Sequence, residues 1–114
     1  MTTHLHLEVR TESSAETSNS DGPRVVLVVT GEIDLTNVDA FRRAVAATAD
    51  GGGGLVLDLQ GVRYLDSAGV AALFRQAARV RLEVIVNDLV APVLRLSALD
   101  DVATVRTGSD IGSQ

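Results

Sequence analysis

Leu5, Leu7 and Val9 alternate with His6, Glu8 and Arg10, a period-2 pattern that predicts a strand with one face inward. Arg24 to Thr30 (RVVLVVT) is an unbroken apolar run rich in β-branched residues, which predicts a strand covered on both faces and ending at Gly31. Between them, Thr11 to Gly22 (TESSAETSNSDG) is small and polar and reads as a flexible loop, so the two strands can pair antiparallel around a long tip. Thr36 is a candidate N-cap for a first helix in which Val38, Phe41 and Val45 share one side. Leu55 to Leu59 (LVLDL) predicts a further strand. Val70, Leu73, Phe74, Ala77 and Val80 then follow a 3.6-residue rhythm and predict a second helix. Leu82 to Val86 (LEVIV) predicts another strand, and Pro92, followed by Val93, Leu96 and Leu99, opens a third helix. Val102 to Val105 supplies a last short strand.

Strand and helix alternate through the later two thirds of the chain, which implies right-handed crossovers and parallel pairing. The expected architecture is a single α/β domain: a mixed, mainly parallel β-sheet with helices packed against one face. At 114 residues it buries roughly two thirds of its unfolded surface, enough for a core without staples. Residues 108–114 read as a disordered tail. The glycine run Gly51 to Gly54 precedes a strand, whereas a phosphate-cradling loop opens a helix, so it reads as a turn.

Composition removes several chemistries. There is no cysteine, hence no thiolate zinc site, redox pair or cysteine nucleophile, and no apolar run long enough for a membrane span. All ten basic residues are arginines; lysine-dependent chemistry, including the nucleotide-binding P-loop, is excluded. A net charge of −5 with 3% aromatics argues against nucleic acid as a partner. No histidine follows His6, so a serine hydrolase triad in the usual order cannot be completed, and His4 and His6 lack a third ligand for a metal. Asp58 has neither an early acid pair nor a lysine to make it a phosphoryl acceptor, and reads as a structural residue. The expectation is a cytoplasmic protein that is not an enzyme and carries no cofactor or metal.

The most informative stretch is Tyr64-Leu65-Asp66-Ser67-Ala68-Gly69-Val70, an acid, a hydroxyl and two small residues at a helix start. Unpaired N–H groups and partial positive charge there can hold an anionic group or receive a close partner. The alternative is that Asp66 or Ser67 merely caps the helix. Asp34 is equally open between a turn role and a partner contact. Arg75, Gln76 and Arg79 follow on the same helix and are candidates for a rim that selects a partner by charge.

This segment resembles the signature of the STAS domain, shared by bacterial anti-sigma factor antagonists and the cytoplasmic tails of sulphate transporters. The resemblance is carried by Gly31-Glu32-Ile33-Asp34-Leu35, by Leu55 to Leu59 with Val62, by Tyr64 to Val70, and by Leu99-Asp100 before the final strand. It implies an antagonist that binds an anti-sigma factor of the serine-kinase type and frees a sigma factor for transcription. It also implies partner-binding residues Asp34, Asp66, Ser67, Ala68, Gly69 and Val70, to which the rim position adds Arg75. In the family, the residue after the Asp-Ser pair is typically a serine or threonine that the kinase phosphorylates; here it is Ala68. Either the chain binds its partner constitutively, or Ser67 takes the phosphate instead. A second class of function is the small cytoplasmic STAS subunit of a lipid-transporting ABC complex. The oligomeric state, monomer or weak dimer, is not legible.

Overall fold

The computed structural model describes residues 4–12, 24–49 and 54–108. Five strands, β1 (Leu5–Glu12), β2 (Arg24–Ile33), β3 (Gly54–Leu65), β4 (Arg81–Val86) and β5 (Thr104–Thr107), form one sheet in the order β1-β2-β3-β4-β5. The β1–β2 pair is antiparallel and the other three pairs are parallel. Three helices, α1 (Val38–Ala49), α2 (Ser67–Ala77) and α3 (Ala91–Leu96), bridge successive parallel strands. A sheet whose spatial order follows the chain, joined by crossovers of one hand, places all three helices on the same face. The core lies there: Leu27, Val29, Leu55, Leu57, Leu59, Val84 and Val86 from the sheet meet Phe41, Val45, Leu73 and Leu94 from the helices, all essentially inaccessible. On the opposite face Val26 and Val56, paired in register, are also buried.

Several boundaries differ from the sequence-based expectation. β1 runs on through Thr11 and Glu12, which pair with Val25 and Arg24, so the connection starts later than the polar composition implies. The rest of that connection, Ser13 to Gly22, the turn at Gly51 to Gly53, and the tail from Ser109 lie outside the described residues. The first α1 hydrogen bond runs from the Phe41 N–H to the Asn37 carbonyl, so Asn37 rather than Thr36 stands directly ahead of the helix. α2 starts at Ser67, three residues before the apolar rhythm begins, and β5 is shifted to 104–107 because Leu99–Asp101 forms a 3₁₀ turn and Val102 is exposed.

The largest difference is β3, which continues six residues beyond Leu59. Opposite β2, Val28 pairs with Asp58 but Thr30 with Gly61, and Gly31 pairs with Val62 but Glu32 with Tyr64. Each shift gives β3 one extra residue, the signature of a bulge. The spacing of inward side chains lengthens accordingly, from Leu55, Leu57, Leu59 to Val62 and Leu65. Asp58 sits at the first shift, where its carboxylate accepts the backbone N–H of Gln60 at 3.1 Å. That is the structural role expected of it.

The β1 edge is fastened at its start. The Glu32 N–H donates to the His4 carbonyl at 2.8 Å, and the His4 N–H donates back to Glu32 Oε1 at 3.1 Å. Glu32 also pairs with Arg63. The His4 backbone bond, and then Arg63, hold the Glu32 carboxyl below the ordinary glutamate range. A lowered titration in the folded state means that this carboxylate favours the fold at neutral pH, and that the contribution is lost as pH falls through it. Acidification below roughly pH 4.3, the ordinary glutamate value, is therefore expected to loosen the start of β1 first. NMR cross-peaks of His4 and Leu5 should move together with Glu32, and Glu32→Gln should remove that coupled step.

Candidate functional site

The three parallel strands β2, β3 and β4 deliver their C-terminal turns to one edge of the sheet, in spatial order. Asp66 ends the central turn and is the N-cap of α2: its backbone is extended, and its Oδ1 accepts the N–H groups of Ala68 at 3.0 Å and Gly69 at 3.2 Å. A cap of this kind contributes about 1 kcal/mol, and its charge suits the positive end of the helix. The choice left open by the sequence is thus decided for Asp66. The Ser67 side chain is exposed and its hydroxyl makes no hydrogen bond to a described residue. Ala68 is half-buried beside it.

Gly69 is buried beneath the turn. A Cβ there would lie 2.4 Å from Leu65 Cδ1 and 3.0 Å from Ile33 Cγ2, so the missing side chain lets the first turn of α2 rest on the ends of β2 and β3. Gly69 therefore supports the turn from below. Val70 is half-buried and packs against the core.

The β2–α1 turn is tied to this point through the backbone: the Asp66 N–H donates to the Ile33 carbonyl at 3.2 Å, directly before Asp34. Asp34 Oδ1 accepts from the Thr36 N–H at 2.9 Å and from the Thr36 hydroxyl at 2.5 Å, so the turn role holds. Its position one residue from the Asp66 bond also brings it beside the α2 start. Arg75 is exposed in the last turn of α2, two turns from Ser67 or roughly 12 Å along the axis. Gln76 is 5% exposed and cannot form a rim, which corrects that expectation; it faces the core because α2 turns it inward with Leu73.

Two asparagines that sequence reasoning passed over hold the outer turns. Asn37 donates through Nδ2 to the Glu32 carbonyl at 2.9 Å and accepts the Asp34 N–H at 3.0 Å. Asn87 donates to the carbonyls of Gln60 and Val62 at 2.9 and 2.7 Å, and accepts from the N–H groups of Leu89 and Val90. The β3–β4 pairing ends at Leu59 and Val86, so Asn87 bonds carbonyls of the part of β3 that lies beyond β4. An asparagine directly after a strand and ahead of an apolar helical start is the local signal that marks Asn87, whereas Asn37 stands four residues past β2 and directly ahead of α1.

The edge holds backbone-committed carboxylates and small side chains. Among the described residues no group of histidine and acidic side chains is arranged to hold a metal. No helix among them is long and apolar enough to cross a membrane.

The family model described as "Mlab, STAS domain" matches residues 16–106, well over half the chain. The chain belongs to the STAS domain family. No curated protein matches it. Among solved structures, an anti-sigma factor antagonist from Mycobacterium paratuberculosis superimposes with a TM-score of 0.70 at 23% identity, over 89% of this chain and 86% of that one. The anti-sigma factor antagonist SpoIIAA in its unphosphorylated form gives 0.59 at 18% identity, over 91% and 92%. At these identities the likeness is one of fold. Within this STAS domain the α2 turn and its two flanking turns form the candidate site.

Proposed function

We propose that this STAS domain is an anti-sigma factor antagonist that binds a serine-kinase-type anti-sigma factor in the cytoplasm through the turn at Asp66 to Ala68, and so frees a sigma factor. It acts by occupying a surface, without turnover, so its output follows relative concentrations and affinity. The observation that supports this reading most is the first turn of α2: small, accessible, and carrying no negative charge beyond the Asp66 cap. The likeness in fold to two anti-sigma factor antagonists supports the class of partner. Asp34 borders the contact, and Arg75 stands at its outer margin.

Ala68 occupies the position where the family carries its phospho-acceptor, and it cannot take a phosphate. Regulation then enters through abundance or partner choice. Because Asp66 provides the cap, Ser67 is not withheld from phosphorylation by capping, and the constitutive reading rests on Ala68 alone. Affinity purification from the source cell, followed by ATP treatment and intact-mass measurement, tests both points. The expected result is a complex with a histidine-kinase-like ATPase that persists in ATP, with the antagonist's mass unchanged. Stoichiometric phosphoserine at 67 would overturn constitutive binding.

A second reading has its own support: the matched family model is named for Mlab and not for an antagonist. In it the chain is the small cytoplasmic subunit of a lipid-transporting ABC complex, and the same purification would yield a membrane-associated transport ATPase.

A further inference from the structure

The turns on either side of Ser67 share a pattern. In the turns after β2, β3 and β4 an aspartate is followed by an exposed residue: Asp34-Leu35, Asp66-Ser67 and, one residue further from its strand, Asp88-Leu89. Leu35 is 77% exposed and Leu89 66%. Neither belongs to the apolar stripe of its helix, and each stands where the chain turns back over the sheet edge. Strands two places apart are separated by roughly 10 Å, so the two leucines bracket the α2 start at about that scale. The apolar surface does not stop at Leu89, since Val93 and Leu96 continue it along the outward side of α3 at helical spacing. No arginine occurs in the three turns, 34–37, 66–70 and 87–90.

We propose that Leu35 and Leu89 are the apolar anchors of the contact centred on Ser67 and Ala68, and that its occupant is a protein surface with two apolar pockets inside a basic rim. The inference rests on the α2 turn being the docking point, as proposed above, and adds what surrounds it. Anchors on both sides of a neutral centre fit the usual anatomy of an interface, with apolar groups in the buried part and charge outside it. The sign of the rim follows from Asp34 and Asp88, the Asp66 carboxylate being committed to the α2 cap. A second copy is a poor occupant. Across a two-fold axis it would set the aspartates of one copy against those of the other.

The full chain carrying benzoylphenylalanine in place of Leu35, Ser67 or Leu89, with Arg79, two residues past the end of α2, as control, would be irradiated in the source cell and the adducts identified by mass spectrometry. The expected result is one and the same protein captured from positions 35, 67 and 89 and not from 79. With that protein purified, Leu35→Ser and Leu89→Ser should each weaken binding at least tenfold, and affinity should fall as salt is raised. Capture from 67 alone, capture of a second copy, absence of capture, or affinities unmoved by the serine variants would overturn the proposal. If all three positions capture a transport ATPase, the anchors stand while the antagonist reading fails.

Discussion

Gly31→Ala is expected to detach the start of β1 from the sheet and to lower stability by roughly 2–4 kcal/mol, combining backbone strain with overpacking. Gly31 has φ +108°, a region that residues with a Cβ rarely adopt. A Cβ there would lie 2.0 Å from the His4 carbonyl oxygen and 2.8 Å from its carbon, both backbone atoms that cannot rotate aside. The only relief is movement of β1, and that movement breaks both bonds between Glu32 and His4. Urea denaturation should give a lower midpoint. Hydrogen exchange should show the loss of protection concentrated in β1, with β3 and β4 little changed. A midpoint within error of the parent chain would show that this edge is not fixed by the Gly31 approach. For a domain of this size the predicted cost is a sizeable share of its total stability.

The order of strands and helices was legible because most regular elements bury one face, and the period writes that face into the sequence; Val9 on β1 and Val93 and Leu96 on α3 are exposed against the pattern. Leu5 and Leu7 on β1, or Phe41 and Val45 on α1, are found where the pattern puts them. Legibility failed where a neighbour changes the period. From Leu59 to Val62 to Leu65 the inward spacing is three, because β3 carries two extra residues against β2; neither a strand nor a helix template matches it, so six residues of β3 went unassigned. The cap of α2 was undecidable for a related reason. Aspartate and serine both cap well, and which one does so depends on where β3 stops.

Asn87 acts across the fold, on carbonyls of Gln60 and Val62 more than twenty residues away, and no local pattern announces those partners. The site was legible at its centre only. Its motif lies in one contiguous stretch, Asp66 to Val70, whereas Leu35 and Leu89 join it only once two crossovers bring three turns to one edge. An exposed leucine in a turn carries no meaning until the faces of the flanking helices are known. The same limit applied to Gln76, which reads as polar and outward beside Arg75 yet points into the core.

If the chain docks on an anti-sigma kinase as proposed, Ala68→Glu is expected to weaken that complex by about 100-fold or more, roughly 3 kcal/mol, while leaving the fold intact. The position is half-buried in the first turn of α2, where a carboxylate suits the positive helix end, so the free chain tolerates the change. In the complex the same carboxylate would be enclosed at the neutral centre, beside an Asp66 carboxylate already committed to the cap. A buried charge without a partner is what makes the loss large. Ala68→Ser supplies the companion measurement. Its hydroxyl occupies the family's acceptor position, so it should bind as the parent does in the absence of ATP and dissociate once the kinase has modified it. Calorimetric titration of both variants, with circular dichroism to verify folding, separates the outcomes. Parent-like affinity for Ala68→Glu would place the docking surface elsewhere on the domain. Binding of Ala68→Ser that survives stoichiometric phosphorylation would show that charge at this turn does not govern the contact.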